Sequence, residues 1–348
     1  MQLTVQKMNT ETLADKDLRG FTKLTNQLRA EMWPDDPPRT SEYWQKHFAG
    51  LQTLDDWKEH FWLVWDGDEA VGRGWGGLPY EDNLHLMQIS LYVLPTYRRQ
   101  GVAKRLLAEL TNLAEAEART LFVFDSSSRV PAGDAVAKAI GARFGIESHT
   151  NQLVLADLDR NLLKNWREKG EQSAQGFEIG SYTGPFPEED LQAVCDIFEV
   201  MNSEPRGDLE VEDFKMTPKQ LRKQEEFNAK IGTERWAFYA RPKGSAQIAG
   251  FTETGWQKAT PTLVWQWGTA VRPEHRGNGL GKWLKAAMLE KILAKRPEAK
   301  FVRTGNADIN APMLAINRAL GFKPYVAHTA WQCDVDKLKT YLEAKKES

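Results

Sequence analysis

Cysteine is nearly absent: Cys195 and Cys333 are the two in 348 residues. So few thiols can build neither a disulfide framework nor a thiolate metal cluster. Long apolar runs are missing as well. The longest, Phe61-Trp62-Leu63-Val64-Trp65, falls far short of the about 20 residues that a helical bilayer span needs. Neither charge is in excess, since 46 Lys and Arg stand against 48 Asp and Glu. A nucleic-acid binder carries a basic excess on at least one domain, so that class is set aside together with membrane insertion. Met1-Gln2-Leu3-Thr4-Val5 lacks the basic segment and apolar stretch of a secretion signal, and a cytoplasmic location is expected. The histidines, His47, His60, His85, His149, His275 and His328, show no ligand spacing, so no metal site is expected.

What is present is a repeat. The length already favours two domains. At one common offset Val93, Pro95, Arg98, Gly101 and Lys104 align with Val271, Pro273, Arg276, Gly279 and Lys282, and Gly72, Gln88 and Phe144 align with Gly250, Gln266 and Phe322. Residues 1–160 are expected to form one domain and 177–348 the other. The polar stretch at 161–176 reads as an exposed linker. Helical spacing covers Asp15 to Met32 and Glu188 to Met201, and buried strands are expected at Trp62 to Trp65 and Trp236 to Ala240. Longer strands follow at about 84–94 and 262–272, then helices over 102–117 and 280–295, and short strands from Leu121 and Phe301. The fold class is α/β (α+β), with chemistry expected where strand gives way to helix.

That junction has a physical use. A helix N-terminus offers unpaired N–H groups and the positive end of its dipole, and so attracts phosphate. Gly279 and Gly281 let backbone approach a diphosphate, and Arg276 adds positive charge beside Gly277, Asn278, Leu280 and Lys282. The first copy keeps Arg98, Arg99, Gln100, Gly101, Val102 and the small Ala103 after Val93. No Gly-x-x-x-x-Gly-Lys-(Ser/Thr) loop occurs. Gly72-Arg73-Gly74-Trp75-Gly76-Gly77 has dinucleotide-loop spacing but precedes Leu78-Pro79-Tyr80 and a polar turn, so it reads as strand or bulge.

Both repeats resemble the acetyl-CoA-binding core of the GNAT N-acetyltransferase superfamily, and the whole chain resembles a tandem, mycothiol-synthase-like member. The second copy also carries the downstream set Asn306, Asn310, Met313, Asn317 and Leu320-Gly321-Phe322. The resemblance implies two folds, each a mixed, mostly antiparallel sheet flanked by helices. It implies acetyl-CoA with its pantetheine arm along Ala270 and Val271, its diphosphate on residues 276–281, and Asn310 holding the arm from the other side. The Val271 N–H would stabilise the oxyanion. Asn317 stands where relatives carry a tyrosine acid, which leaves ordered water, Tyr325 or the thiolate's own tolerance of charge. The first copy lacks the Asn set and reads as a domain that binds, or once bound, the cofactor but is catalytically degenerate.

Transfer to an amine needs a base. Glu253 lies on the same strand face as Phe251 and is the candidate, the alternative being a solvated strand glutamate. The stretch 201–213 carries Glu204, Asp208, Glu210, Glu212 and Asp213, which fits either a cationic amine acceptor or a solvated loop. His275 is placed at the cofactor or in solvent. Lys282 and Lys285 read as contacts to the cofactor's 3′-phosphate or as an exposed helix face. Cys195 and Cys333 read as small hydrophobes. The expected activity is direct acetyl transfer from acetyl-CoA to a primary amine of a small molecule in a ternary complex, by a monomer. The alternative is a CoA-binding sensor without turnover.

Overall fold

The computed structural model describes residues 2–344. In chain order the elements are β1 (Leu3–Lys7), α1 (Asp15–Met32), α2 (Ser41–Leu51), β2 (Trp57–Asp66), β3 (Glu69–Pro79) and β4 (Leu86–Val93). Next come α3 (Val102–Ala116), β5 (Leu121–Ser127), α4 (Ala132–Ala139), β6 (Arg143–Val154) and α5 (Arg160–Ser173). The second half runs β7 (Phe177–Thr183), α6 (Leu191–Glu199), α7 (Pro218–Lys230), β8 (Thr233–Pro242), β9 (Gly250–Gln257) and β10 (Leu263–Val271). It ends with α8 (Leu280–Lys295), β11 (Phe301–Ala307), α9 (Ala311–Ala319), β12 (Lys323–Asp334) and α10 (Val335–Ala344). Among the described residues, no helix is long and apolar enough to cross a membrane.

Two compact units emerge. Unit 1 draws on Met1–Glu147, Arg206–Glu212 and Ala327–Ser348; unit 2 draws on Ser148–Pro205 and Asp213–Val326. In unit 1, β1, β2, β3 and β4 pair antiparallel in sequence, β4 pairs β5 in parallel, and β5 pairs antiparallel with the end of β12. Unit 2 repeats the plan with β7, β8, β9 and β10, a parallel β10–β11 pair, and the end of β6 antiparallel to β11. The mixed, mostly antiparallel sheet with helices on its faces is therefore present twice.

The units do not coincide with the expected domains 1–160 and 177–348. The second half of each of β6 and β12 belongs to the unit built by the other repeat. The supposed linker at 161–176 is mostly helix. Asp159 caps α5 by accepting from the Asn161 and Leu162 N–H groups, and Leu163, Trp166 and Gly170 are buried at helical spacing. Gly170 is indispensable there: a Cβ would come within 2.4 Å of the Trp283 ring. Leu163 and Trp166 join Leu289 and Ile292 of α8 in the main core of unit 2.

The Gly72–Gly77 run is β3, as its sequence context indicates, and its glycines serve packing. A Cβ on Gly72 would meet Val102 at 2.5 Å, and one on Gly76 would meet Met87 at 2.1 Å. Gly250, aligned with Gly72 in the repeat, lies in the same way beneath Leu284 of α8. Each glycine thus lets the helix after the loop settle onto its sheet.

Candidate functional site

In unit 2, β10 and β11 pair only over Leu263–Phe301, Val264–Val302 and Trp265–Arg303. Among the described residues, the edge of β10 from Gln266 onward has no β11 partner. On the other edge of β10, the β9–β10 register slips between Gln266 and Thr269. The extra residue makes a bulge, which bends a strand and interrupts its ladder. Met201 packs over it, within 2.6 Å of where a Gly268 Cβ would lie. In unit 1, β4 and β5 also part after Gln88–Val123, yet β3 and β4 keep one register from Gly72–Val93 to Gly77–Gln88. The bulge belongs to unit 2.

β10 ends at Ala270 and Val271, opposite Phe251 and Gly250. The Val271 carbonyl accepts from Arg276 Nε at 3.0 Å, and a guanidinium nitrogen of Arg276 donates to Ser203 Oγ at 3.2 Å. Asn278 Nδ2 donates to the His275 carbonyl at 3.2 Å, and the His275 ring lies edge-on to Phe177. Gly277 and Gly279 have φ of 85° and 75°, and a Cβ on either would meet nothing within 4 Å. Glycine is needed here for backbone conformation, and the space above the loop is open. No side chain caps the first turn of α8, so its N–H groups face that space. Leu280 is buried, Gly281 lies 3.7 Å from Val271 measured from its virtual Cβ, and Lys282 extends over the Trp166 ring.

The corresponding loop of unit 1 is more encumbered. Arg98 Nε donates to the Val93 carbonyl at 3.2 Å, but its other nitrogens form a two-pronged pair with Glu31. Arg99 takes the left-handed conformation, φ 64°, that glycine holds in unit 2. Gln100 Nε2 donates to the Thr96 carbonyl, Gly101 caps α3 at φ 82°, and Val102 is buried beside Ala103.

Glu253 stands opposite Ala237, which places both on the face occupied by Phe251, Ala270, α6 and Leu221 of α7. It is 9% exposed, so the solvated alternative does not hold. Among the described residues its carboxylate has no hydrogen-bond partner. Burial pushes its pKa up to about 7, partly opposed by the Arg235 charge. A carboxyl poised there can take and return a proton near neutrality. In unit 1 the corresponding strand position is Trp75, whose indole donates to Glu59 at 2.8 Å. Glu59 also accepts from the Trp57 indole and lies 3.9 Å from His47. Burial opposes its ionisation, yet His47 and the two indoles outweigh burial and hold its pKa below the usual range. It is a locked anion.

The opposite face of the gap is polar and buried. Thr252 and Thr269 share a hydrogen bond of 2.8 Å, and Gln266 Nε2 donates to Thr252 at 3.0 Å. Beyond them Asn317, 1% exposed, donates through Nδ2 to Asn306 Oδ1 at 2.7 Å. Asn310 caps α9. Lys285 corrects the sequence reading: it is 2% exposed, and its Nζ donates to Asn317 Oδ1 at 2.9 Å. It is neither an exposed lysine nor one aimed outward at a phosphate. The signal in the sequence is its setting among Trp283, Leu284, Ala286, Met288 and Leu289, all of them apolar and buried. Tyr325 lies against the Arg303 guanidinium, 4.5 Å from ring to charge. Arg303 alternates in β11 with core residue Val302, so it projects to the face away from α8.

The acidic stretch divides. Glu210 pairs with Arg143 at 2.6 Å, and Glu212 accepts from the Asn83 N–H, both within unit 1. Burial pushes the Cys195 thiol up to about 11, which suits a packed hydrophobe. Among the described residues no group of three or more His, Cys, Asp or Glu could hold a metal ion.

Residues 21–132, within unit 1, match the model of the Acetyltransferase (GNAT) family. No curated protein matches the chain. Among solved structures, the chain is similar to a tandem GNAT protein from the clavulanic acid biosynthesis pathway, solved without AcCoA (TM-score 0.77, 24% identity, 96% of this chain and 99% of that one). It is also similar to a GCN5-related N-acetyltransferase from Sphaerobacter thermophilus (TM-score 0.65, 14% identity, 96% of each chain). A third similar structure is a GCN5-related glucosamine N-acetyltransferase region of a fungal multi-domain GH3 beta-N-acetylglucosaminidase (TM-score 0.65, 13% identity, 95% of this chain and 38% of that one). Residues 21–132 thus resemble the Acetyltransferase (GNAT) family, and along its length the chain has the fold of the tandem GNAT protein.

Proposed function

We propose that unit 2 transfers an acetyl group from acetyl-CoA to a primary amine of a small molecule, by direct attack in a ternary complex. The observation that carries this reading is the parted β10–β11 pair with Glu253, its pKa near 7, on one face beside it. The loop fits the diphosphate of coenzyme A. Gly277 and Gly279 hold left-handed backbone beneath open space, and the uncapped amides of α8 supply donors. Acetyl-CoA brings an acyl carbon activated as a thioester. The chain's residues do the rest: Ala270 and Val271, with the free edge of β10, hold the acyl arm through backbone, and Asn306 and Asn317 line the far side. Glu253 takes a proton from the ammonium of the acceptor so that its lone pair becomes available.

Unit 1 is assigned no turnover, because Glu59 is a stabilised anion and Arg98 is tied to Glu31, which weakens its hold on a diphosphate. The test is release of thiol from acetyl-CoA, read with dithionitrobenzoate across polyamines, aminoglycosides and amino-sugar thiols. Acceptor-dependent release supports transfer; saturable CoA binding with no release for any acceptor makes the protein a sensor.

A second expected outcome concerns the loop. Gly279→Val forces a β-branched residue to φ 75° and places methyl groups over the amides, and such residues strongly resist that conformation. Calorimetry should show the loss of one CoA site per chain. Unchanged stoichiometry and affinity would remove the loop from the binding site.

A further inference from the structure

We propose that Lys285 is the proton donor to the sulfur that leaves the acyl carrier in unit 2, an assignment that rests on the acyl-transfer reading above. The starting point is a buried cation with incomplete company. An ammonium has three donors, and among the described residues Lys285 Nζ has one acceptor, Asn317 Oδ1 at 2.9 Å. Two N–H bonds therefore lack protein partners at a side chain 2% exposed. Burying a cation in that state is costly unless something else uses those donors.

Its position says what that is. Asn317 bonds Asn306, and Asn306 lies on β11 beyond Arg303, where β10 no longer pairs. The head of Lys285 is thus tied to the open part of the gap, on the α8 face. Glu253 lies on the other face. A base on one face and an acid on the other suit a reaction in which the nucleophile arrives from one side and the leaving group departs on the other. Asparagine at 317 cannot donate a proton to a thiolate in a useful pKa range, whereas the lysine that it orients can.

The groups that face Lys285 come from every neighbouring element. α9 gives Asn317, the residue before β12 gives the Phe322 ring at 5.8 Å, and the turn after residue 203 gives Glu204, the charge that favours the ammonium. Burial outweighs Glu204 and brings the Lys285 pKa down to about 7. That lies below an ordinary thiol, so proton transfer to sulfur runs downhill.

The step balances as follows. The amine nitrogen forms its bond to the acyl carbon, the C–S bond breaks, and its electron pair stays on sulfur. A proton from Lys285 Nζ joins that pair to give the thiol and leaves a neutral lysine. The acceptor ammonium loses two protons in all. One is released to water through Glu253, and the other balances the proton that Lys285 regains from water.

The test follows free CoA first and turnover second. The ultraviolet absorbance of bound CoA thiolate is titrated against pH in the wild-type chain, Lys285→Met and Lys285→Arg. Unit 1 is common to all three, so differences report unit 2. The bound thiol should ionise lower in Lys285→Arg than in Lys285→Met by about one pH unit or more, as a permanent cation stabilises the anion, while in wild type the lysine gives up its proton first. With the amine that gives turnover, kcat should fall about 10²- to 10⁴-fold in Lys285→Met while Kd for CoA holds. Lys285→Arg should not restore kcat, because a guanidinium retains its proton. Methionine removes a buried charge at similar volume; should that variant not fold, the arginine variant alone decides. Equal thiol titration in Lys285→Arg and Lys285→Met, wild-type turnover in Lys285→Met, or restored kcat in Lys285→Arg overturns the assignment and leaves acetyl transfer standing. A wild-type chain that binds no CoA removes both.

Discussion

Glu253→Gln is expected to lose turnover and gain stability at the same time. The carboxyl titrates near 7 in the folded protein because burial penalises its anion, against an ordinary 4.5. Between those two values the folded state binds more protons than the unfolded state, so stability falls as pH rises through that window. Above it the whole penalty is present, on the order of 3 kcal/mol. Glutamine has the same shape and no charge to bury, so the variant should unfold at higher temperature than wild type at pH 8 and approach it at pH 4. Turnover should move the other way. Wild-type kcat should rise with pH on a limb set by Glu253 near 7 and fall again as Lys285 loses its proton, and the variant should lose about 10²- to 10⁴-fold together with the rising limb. Unchanged kcat in a more stable Glu253→Gln would show a buried carboxyl without a catalytic task.

Much of this architecture was legible in the chain. The bounds of α1, Asp15–Met32, and of α8, Leu280–Lys295, follow from apolar spacing and from the glycine that precedes the second helix. The repeat forecast two copies of one sheet, and both are present. What the repeat could not show is which copy of the final strand each sheet takes. β6 and β12 carry the same His-Thr pair, and either could lie against β5 or β11, so local pattern is silent where pairing is decided by chain path. α5 was hidden by composition. Arg160 to Ser173 is polar on most faces, and the buried stripe of this helix is Leu163, Trp166 and Gly170. At the site, the loop glycines and Glu253 were visible because each breaks a local rule, a positive φ or a carboxylate on an apolar face. Lys285 breaks the same kind of rule, but lysines on helices are usually exposed, so residue type masks its burial. The bulge in β10 leaves no residue signature beyond Gly268.

Removing one carboxylate at the edge of this site should shake both the fold and the chemistry. Glu225 on α7 and Arg235 on β8 form an ion pair whose side chains are 7% and 5% exposed. Glu225 also accepts from the Phe186 N–H at 2.7 Å and from Arg222 at 2.6 Å, and the Arg235 guanidinium lies 3.8 Å from the Phe186 ring. Glu225→Gln leaves Arg235 as a buried charge without its counter-ion, a loss of about 3–5 kcal/mol. For a unit of this size the unfolding temperature should drop by about 10 °C. The second effect reaches the base, since Arg235 is the charge that holds the Glu253 pKa down against burial. Freed of Glu225, it should hold it lower still, and the rising limb of kcat should move to lower pH. Arg235→Met in the Glu225→Gln background replaces the pair with apolar and neutral groups. It should recover most of the stability, and it should move the limb above its wild-type position because no cation then opposes burial. Opposite displacements of one kinetic limb by two changes at the same pair, with stability moving independently of both, identify that limb as the titration of Glu253. A limb that stays fixed in both variants belongs to another group.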